Sequence, residues 1–202
     1  MGKEVAILCL ASVLLFSISS VAANKVVVVP LSSKVAEPAP EPPPATSKLI
    51  FVTKGKWPGN LGGLSGADEK CNADASARNF TGTFQAVLGS IEEYITWDPW
   101  RRSIHYPLPY LREDGEDLQS DFHDLFTSGP DSSVTTDAQH NPWTGLNTDG
   151  TMHTENCNGW SDSTTDYNGV VGDTSSVGFG SRWLNSFIAP CNTLRPLYCV
   201  EQ

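Results

Sequence analysis

The four cysteines that follow residue 70 constrain the fold of this chain more than any other feature. They are Cys71, Cys157, Cys191 and Cys199, whereas the fifth, Cys9, lies in an N-terminal segment that we expect to be removed. They form no Cys-x-x-Cys pair, so zinc ribbons and thioredoxin-like redox sites have little support. An even number of cysteines in an exported chain predicts two disulfides. Three pairings are open, and the count alone does not choose among them.

The first 23 residues have the features of a cleaved signal peptide. Lys3 supplies a short basic region, and residues 5–18 form an apolar run that is broken only by Ser12 and Ser17. Small residues then lead to a cleavage position after Ala23. The apolar run is shorter than the roughly 20 residues that a membrane-spanning helix needs. We therefore predict a protein that is secreted, periplasmic or at the cell surface, and that is not an integral membrane protein.

After cleavage the chain divides into a linker and a domain. Residues 24–47 include five prolines between positions 38 and 44, which favour extended polyproline II backbone and form no core. Residues 48–202 are numerous enough to bury a core of their own. We expect one folded domain that is held at a distance by a semi-rigid spacer.

The net charge of −10 narrows the range of partners. An acidic surface repels nucleic acids, anionic lipids and sulfated polysaccharides unless basic residues cluster locally. We therefore predict no nucleic-acid partner. The composition predicts no particular oligomeric state.

Apolar patterns predict strands at both ends of the domain and a helix near its start. Residues 49–53 and 197–200 are rich in β-branched and aromatic side chains, which is typical of strands. The helix is predicted to begin after an N-cap at Ser65, with Asp68 in a capping-box position. Apolar positions that should face inward then recur at helical spacing, at Leu64, Ala67, Cys71 and Ala75.

Regular patterns are weaker further along the chain. A buried strand is predicted over residues 83–88, and a second helix over residues 118–126. The apolar face of that helix would comprise Leu118, Phe122, Leu125 and Phe126. From residue 129 to residue 179, Gly, Asn, Asp, Ser and Thr dominate, and these residues favour turns. Loops of this length in a domain are usually functional or held by crosslinks.

Several sequence blocks, in this order, resemble one family. They are Leu64–Asp68, Cys71, Gly82–Ser90, Arg101–Arg102, Trp143–Gly145, Asp149–Gly150, Cys157–Trp160, Cys191 and Leu197–Val200. Together they are similar to endostatin, the C-terminal fragment of certain collagens, and more closely to the exported bacterial endostatin-like proteins of leptospires. The resemblance covers residues 48–202.

The resemblance implies an α+β fold of the C-type-lectin-like kind. Such a domain has paired terminal strands, one main helix, a long irregular loop region and two disulfides. It also implies the pairing of Cys71 with Cys199 and of Cys157 with Cys191. The first bridge would then fasten the helix to the closing strand, and the second would close the loop-rich segment.

The resemblance further implies an exported, non-catalytic binding module with an adhesin-like role. Its partner would be an extracellular protein or glycan, such as a matrix protein or a host regulator. We assign a contact surface to Trp97, Trp100, Arg101 and Arg102, because the two tryptophans flank a turn and aromatic side chains are good recognition anchors. Two arginines in a chain of net charge −10 predict only weak, salt-sensitive heparin binding. The core tryptophans are predicted to be Trp143, Trp160 and Trp183.

A calcium-dependent carbohydrate-binding lectin is the alternative function. The sugar-binding signatures Glu-Pro-Asn, Gln-Pro-Asp and Trp-Asn-Asp are absent from the sequence. Five oxygen-bearing side chains could bind calcium, or could simply form hydrogen bonds in turns. We expect no cofactor, with calcium as the alternative. The weak calcium candidates are Asn147, Asp149, Asp162, Asp166 and Asp173.

An enzyme on the same fold is the third hypothesis. The histidines are scattered without a His-Glu-x-x-His motif, and no Gly-x-Ser-x-Gly elbow is present. Glu92–Glu93 and Glu113–Asp114 are adjacent carboxylates, which usually point apart, whereas acids that cleave glycosides must face each other. We therefore predict no catalytic residue and no zinc site. The histidines are His105, His123, His140 and His153.

Overall fold

The computed structural model describes residues 46–90, 108–180 and 182–202, which belong to one unit that runs from Pro43 to Gln202. Within these ranges the fold is mixed α+β. In chain order the elements are β1 (Lys48–Val52), α1 (Gly63–Ala77), β2 (Phe84–Ala86), β3 (Tyr110–Leu111), β4 (Asp117–Gln119), α2 (Phe122–Thr127), α3 (Cys157–Trp160), β5 (Asn168–Val171), β6 (Phe187–Pro190) and β7 (Tyr198–Glu201).

The two terminal strands form the centre of the main sheet. In the described ranges this sheet has five strands in the order β2-β7-β1-β3-β4, and β5 and β6 form a separate pair. Strands β1 and β7 are antiparallel, with Phe51 opposite Cys199. The ammonium of Lys48 donates a hydrogen bond to the carbonyl of Gln202 at 2.6 Å. The prediction that the terminal strands pair is confirmed.

Helix α1 presents the predicted face to the core but begins earlier than expected. Its N-cap is Gly62, which has a left-handed φ of 83°, and no side chain caps the helix. Glycine adopts this conformation without steric cost, so it turns the chain into the helix at that point. The predicted N-cap at Ser65 is therefore wrong. The inward face is confirmed, since the buried positions are Leu64, Ala67, Cys71 and Ala75.

Polar side chains fasten α1 to β2. The carboxylate of Asp68, which the sequence placed in a capping box, accepts a hydrogen bond from the Ala86 amide at 2.8 Å. The side chain of Asn72 accepts from the Phe84 amide at 2.9 Å and donates to the Phe84 carbonyl at 2.7 Å. Because the inward side chains of α1 are small, these bonds and a disulfide position the helix.

The second predicted helix is shorter than expected. Leu118 lies in β4, and α2 begins at Phe122 after the N-cap Asp121. The Asp121 carboxylate accepts a hydrogen bond from the Asp124 amide at 2.8 Å, which fixes the start of the helix. Leu118, Leu125 and Phe126 are buried as predicted, but Leu118 belongs to β4 and not to the helix. Strand β2 is also shorter than the strand predicted over residues 83–88.

Both disulfides have the pairing that the resemblance implies. Cys71–Cys199 joins α1 to β7 across 128 residues, and Cys157–Cys191 spans 34 residues of the loop region. The chain-entropy account assigns roughly 5 kcal/mol to a bridge of the first kind and roughly 4 kcal/mol to one of the second. Two disulfides are typical of proteins that work outside the cytoplasm.

The loop region contains a left-handed turn at α3. All of its residues, Cys157 to Trp160, have φ between 52° and 68°. The side chain of Asn156 accepts a hydrogen bond from the Gly159 amide at 3.0 Å, and Trp160 Nε1 donates to the Gly89 carbonyl at 2.6 Å. Residues other than glycine avoid this backbone region, so the turn depends on these bonds and on the disulfide.

Buried tryptophans mark the two parts of the core. Trp143 and Trp160 belong to a cluster between α1 and the sheet, and Trp183 belongs to a second cluster with Leu118 and Tyr198. All three tryptophans are buried, as predicted.

Several predictions concern residues outside the described ranges. They are the signal peptide, residues 24–45 of the linker, and the contact surface at Trp97, Trp100, Arg101 and Arg102. Across the described ranges, every helix is too short or too polar to cross a membrane.

Candidate functional site

Large apolar side chains are exposed at two places in the described part of the chain. One group lies in the loop that precedes residue 182 and consists of Val177 and Phe179. The others lie on β6 and in the segments that flank the β5–β6 pair, and are Tyr167, Phe187, Ile188 and Leu194. The exposed fraction is 62% for Leu194 and 42% for Phe187. The second group is distinguished by a cation, Arg195, that lies beside it.

The turn after β6 brings Phe187 and Arg195 together. Strand β6 pairs antiparallel with β5, and the chain then turns, because the Thr193 amide donates to the Pro190 carbonyl at 3.1 Å. The disulfide at Cys191 holds this turn against the loop region. The chain therefore returns past the side chain of Phe187.

A two-way backbone pair fixes Arg195 beside Trp57. The Trp57 amide donates to the Arg195 carbonyl at 2.9 Å, and the Arg195 amide donates to the Trp57 carbonyl at 3.0 Å. Side chains of directly opposed antiparallel residues project to the same side, so those of Trp57 and Arg195 are neighbours. Gly55 leaves room for the indole, since a Cβ there would lie 2.5 Å from Cη2 of Trp57. Trp57 also packs against the core.

The guanidinium of Arg195 lies among aromatic rings, and no described residue supplies it with an anion. Its Cζ is 5.1 Å from the ring centroid of Phe187 and 5.9 Å from that of Trp143. Its Nε is buried and has no hydrogen-bond partner. Burial lowers the pKa of Arg195, and no carboxylate of the described residues acts against that effect. We call Trp57, Phe187, Leu194 and Arg195 the Arg195 surface.

Arg78 shows how the same protein satisfies a similar arginine internally. Its Cζ lies 4.9 Å from the ring centroid of Phe51 and 4.4 Å from that of Phe80. In contrast to Arg195, Arg78 donates to the Val52 carbonyl at 3.2 Å and forms an ion pair with Glu113. Burial lowers the pKa of Arg78 too, although nearby carboxylates oppose it. Both arginines therefore contact two aromatic rings, but only Arg78 also has a carboxylate partner among the described residues.

A cleft of about 280 Å³ opens beside the Arg78–Glu113 pair. Lys54 and Lys56 line it together with Asp137 and His140, so it carries charges of both signs. A second cleft of about 270 Å³ lies between Phe126, Asp149 and Phe179. The lining of the first cleft holds three permanent cations, Lys54, Lys56 and Arg78, and two carboxylates, Glu113 and Asp137.

The weak calcium candidates make local turns. Asp149 Oδ1 accepts from the amide and the hydroxyl of Thr151, at 3.0 and 2.6 Å. These two bonds from Thr151, the hydroxyl first, lower the pKa of Asp149. Asp162 bonds to Thr164 in the same way, as does Asp173 to Ser175. The side-chain amide of Asn147 donates to the Thr151 hydroxyl and the Met152 carbonyl. Asp166 takes part through its backbone amide, which donates to the Thr164 hydroxyl. Three of the five candidates, Asp149, Asp162 and Asp173, thus accept hydrogen bonds from a hydroxyl residue two positions ahead.

A group of three metal-ligand residues occurs at the start of α2. Ligand atoms of Asp121, His123 and Asp124 lie within 4.8 Å of one another. The Asp121 carboxylate already caps the helix, and that of Asp124 accepts from the Ser120 hydroxyl at 2.7 Å. Both acids thus have a structural role at the helix start.

Among the remaining candidate histidines and acids, Glu113 and His140 line the first cleft together. His140 and His153 are partly buried, and Nδ1 of His153 accepts from the Glu155 amide at 3.0 Å. Glu113 pairs with Arg78, whereas Asp114 pairs with Arg112, so these adjacent carboxylates point apart as predicted. His105 and Glu92–Glu93 lie outside the described ranges.

Sequence reasoning missed Arg195. One signal was available, because Arg195 is the sole basic residue between the last two cysteines of an acidic chain. Its neighbours in space, Trp57 and Phe187, are distant in sequence, so the pattern around it is visible only in the fold.

Comparisons with known proteins give one family match. A family model described as "Protein of unknown function (DUF1554)" matches residues 107–177, about a third of the chain. The matched segment runs from β3 to β5 and the loop after it, and ends before β6. No curated protein matches the chain.

Proposed function

We propose that the chain is an exported, non-catalytic binding module that recognises extracellular macromolecules through the Arg195 surface. In this proposal the domain is endostatin-like, with a C-type-lectin-like fold, and the proline-rich linker presents it away from its point of attachment. Its role is adhesin-like, and its partners are matrix proteins or host regulators.

The arrangement of the described elements supports the C-type-lectin-like assignment. The terminal strands β1 and β7 pair, and Cys71–Cys199 fastens the main helix to the closing strand. In sequence, the Cys157–Cys191 bridge is nested between Cys71 and Cys199, and it closes an irregular loop region. These are the features that the resemblance implies.

The observation that carries the functional proposal is the unpaired guanidinium of Arg195 beside exposed apolar side chains. Arginine and aromatic side chains are enriched where binding energy concentrates in protein interfaces. The planar guanidinium can stack on rings and still offer its outer N–H groups to a partner. A binding role uses both the rings and these N–H groups.

The test is binding of the full chain, with its disulfides formed, to an array of matrix proteins and glycans. The array includes laminin and fibronectin and is read with calcium and with chelator. Saturable protein binding that resists the chelator is the expected result. Chelator-sensitive glycan binding would instead identify a calcium-dependent lectin.

Three variants then locate the surface. The double variant Phe187→Ser, Leu194→Ser should lose the interaction, because it removes the exposed apolar part of the Arg195 surface. Phe179→Ser is the matched control, since Phe179 is 88% exposed and lies in the other apolar group. The predicted surface at residues 97–102 is tested in parallel by Trp100→Ser. If only Trp100→Ser reduces binding, the contact lies there and not at Arg195.

A further inference from the structure

We propose that the partner of the Arg195 surface presents a carboxylate to Arg195, as an Asp or Glu side chain set among apolar residues. This inference rests on the proposed function and names the chemistry of the partner. It is carried by the geometry of Arg195, by its contrast with Arg78 and by the charge of the chain.

The first step is the cost of leaving Arg195 without an anion. Its Nε is buried without a hydrogen-bond partner, and its guanidinium lies over Phe187 and Trp143. A partly buried donor that has lost water and gained no acceptor is unfavourable. Aromatic rings attract the cation but accept no strong hydrogen bond from it. The terminal nitrogens of Arg195, unlike the buried Nε, can donate to an external carboxylate.

The second step is the comparison with Arg78. Both guanidinium groups lie over two aromatic rings, and both belong to partly buried side chains. The fold supplies Arg78 with the Glu113 carboxylate and the Val52 carbonyl. It supplies no such group to Arg195 within the described ranges. In the proposal, the partner supplies the anion that no described residue provides to Arg195.

The third step selects a peptide carboxylate over a polyanion. The chain has a net charge of −10, which repels nucleic acids and sulfated polysaccharides. Lys56 precedes Trp57 but lines the cleft beside Arg78, so it adds no second cation to the Arg195 surface. Exposed Phe187 and Leu194 instead offer apolar contacts. One cation flanked by apolar side chains matches a single acidic residue with apolar neighbours.

The experiment is a selection of short random peptides displayed on phage against the full chain, in buffer with chelator. Selected peptides are then synthesised, and their affinities are measured by calorimetry. We expect Asp or Glu next to Leu, Ile, Phe or Trp. Replacing that acid by Gln should weaken binding by about tenfold to a hundredfold, as expected for loss of a charge-assisted hydrogen bond.

A double-mutant cycle links the acid to Arg195. Against Arg195→Met, the acidic peptide and its Gln version should bind equally weakly. Arg195→Lys should recover part of the affinity, because it keeps the charge but loses the planar fork. Arg182→Gln is the matched control and should leave binding unchanged, since Arg182 is an exposed arginine elsewhere. Near-ultraviolet circular dichroism checks that each variant is folded.

The outcomes separate this inference from the proposed function. Suppose that the double variant Phe187→Ser, Leu194→Ser abolishes peptide binding, but the Gln peptide binds the wild type as well as the acidic one does. The Arg195 surface is then the binding site, and the proposed carboxylate contact is wrong. If no selected peptide responds to either change, the surface itself is wrong and the proposed function loses its site. A selection that enriches no peptide overturns the inference. The inference is also overturned if the chain self-associates in sedimentation experiments and Arg195→Met removes that association. The Arg195 surface would then bind a second copy of the chain.

Discussion

The side chain of Arg195 lies over the ring of Phe187, with 5.1 Å between Cζ and the ring centroid, and its Nε has no hydrogen-bond partner. Within the described residues this guanidinium therefore makes ring contacts but no ion pair. We expect Arg195→Met to change the free energy of unfolding by no more than about 1 kcal/mol, because loss of the ring contact offsets relief of the unpaired cation. Urea unfolding at neutral pH measures this. A loss above about 2 kcal/mol would contradict the absence of an internal partner.

Arg78 provides the opposite expectation. Arg78→Met removes the ion pair with Glu113 and the hydrogen bond to the Val52 carbonyl. We expect the free energy of unfolding to fall by roughly 1–3 kcal/mol, the range for hydrogen bonds to charged groups. Adding Glu113→Gln to this variant should cost little more, because its charged partner is already gone. Additive losses in urea unfolding would show that the two side chains do not stabilise each other.

Local patterns in the sequence predicted much of this fold. Helical spacing gave the buried face of α1, and β-branched runs gave the terminal strands, because each pattern reflects a repeat of the backbone itself. The pairing of the cysteines came from the resemblance alone. In contrast, the start of α1 depends on the left-handed backbone of Gly62, which leaves no apolar periodicity to read. Leu118 fits a strand or a helix equally well, and the pairing of its neighbours Asp117 and Gln119 with β3 decided between them.

The candidate site was harder to predict than the fold. The Arg195 surface forms only when the turn after β6 meets the Trp57 segment, so its parts are far apart in the chain. The acids that do stand out in the sequence, such as Asp149 and Asp162, bond to hydroxyl residues close by. These local bonds follow from residues two positions apart, so they could be read from the sequence, whereas the Arg195 surface could not.

The two disulfides should differ in their contribution to stability. Replacing Cys71 and Cys199 by Ala opens a loop of 128 residues, whereas replacing Cys157 and Cys191 opens one of 34. We expect both variants to lose roughly 2–5 kcal/mol, and the first to lose more, because closure of the longer loop restricts the unfolded chain more strongly. Urea unfolding of both variants, compared with the oxidised wild type, provides the measurement. The reverse order would show that native packing around α3 outweighs chain entropy.

Gly145 and Gly115 form a matched pair for testing how tightly the loop region packs. Both have positive φ, at 60° and 88°, so a side chain strains the backbone at either position. A Cβ at Gly145 would lie 2.7 Å from Cζ2 of Trp160, whereas one at Gly115 meets nothing within 4 Å. We expect Gly115→Ala to cost about 1 kcal/mol and Gly145→Ala about 2–4 kcal/mol, since the latter adds overpacking to strain. Equal losses of unfolding free energy would mean that Trp160 moves aside freely.

The Arg112–Asp114 pair predicts how one surface carboxylate responds to acid. Arg112 donates to Asp114 through Nε at 2.8 Å and through a terminal nitrogen at 2.7 Å, and these bonds lower the pKa of Asp114 to about 2. Because the folded pKa lies below its usual value, any stability from this pair is present near neutral pH and is lost as the pH falls through about 2. A carboxyl-detected NMR titration should find this low pKa in the wild type. In Arg112→Gln the pKa of Asp114 should rise toward the usual range for Asp, and a low pKa that persists in that variant would assign the effect to the backbone of the turn instead.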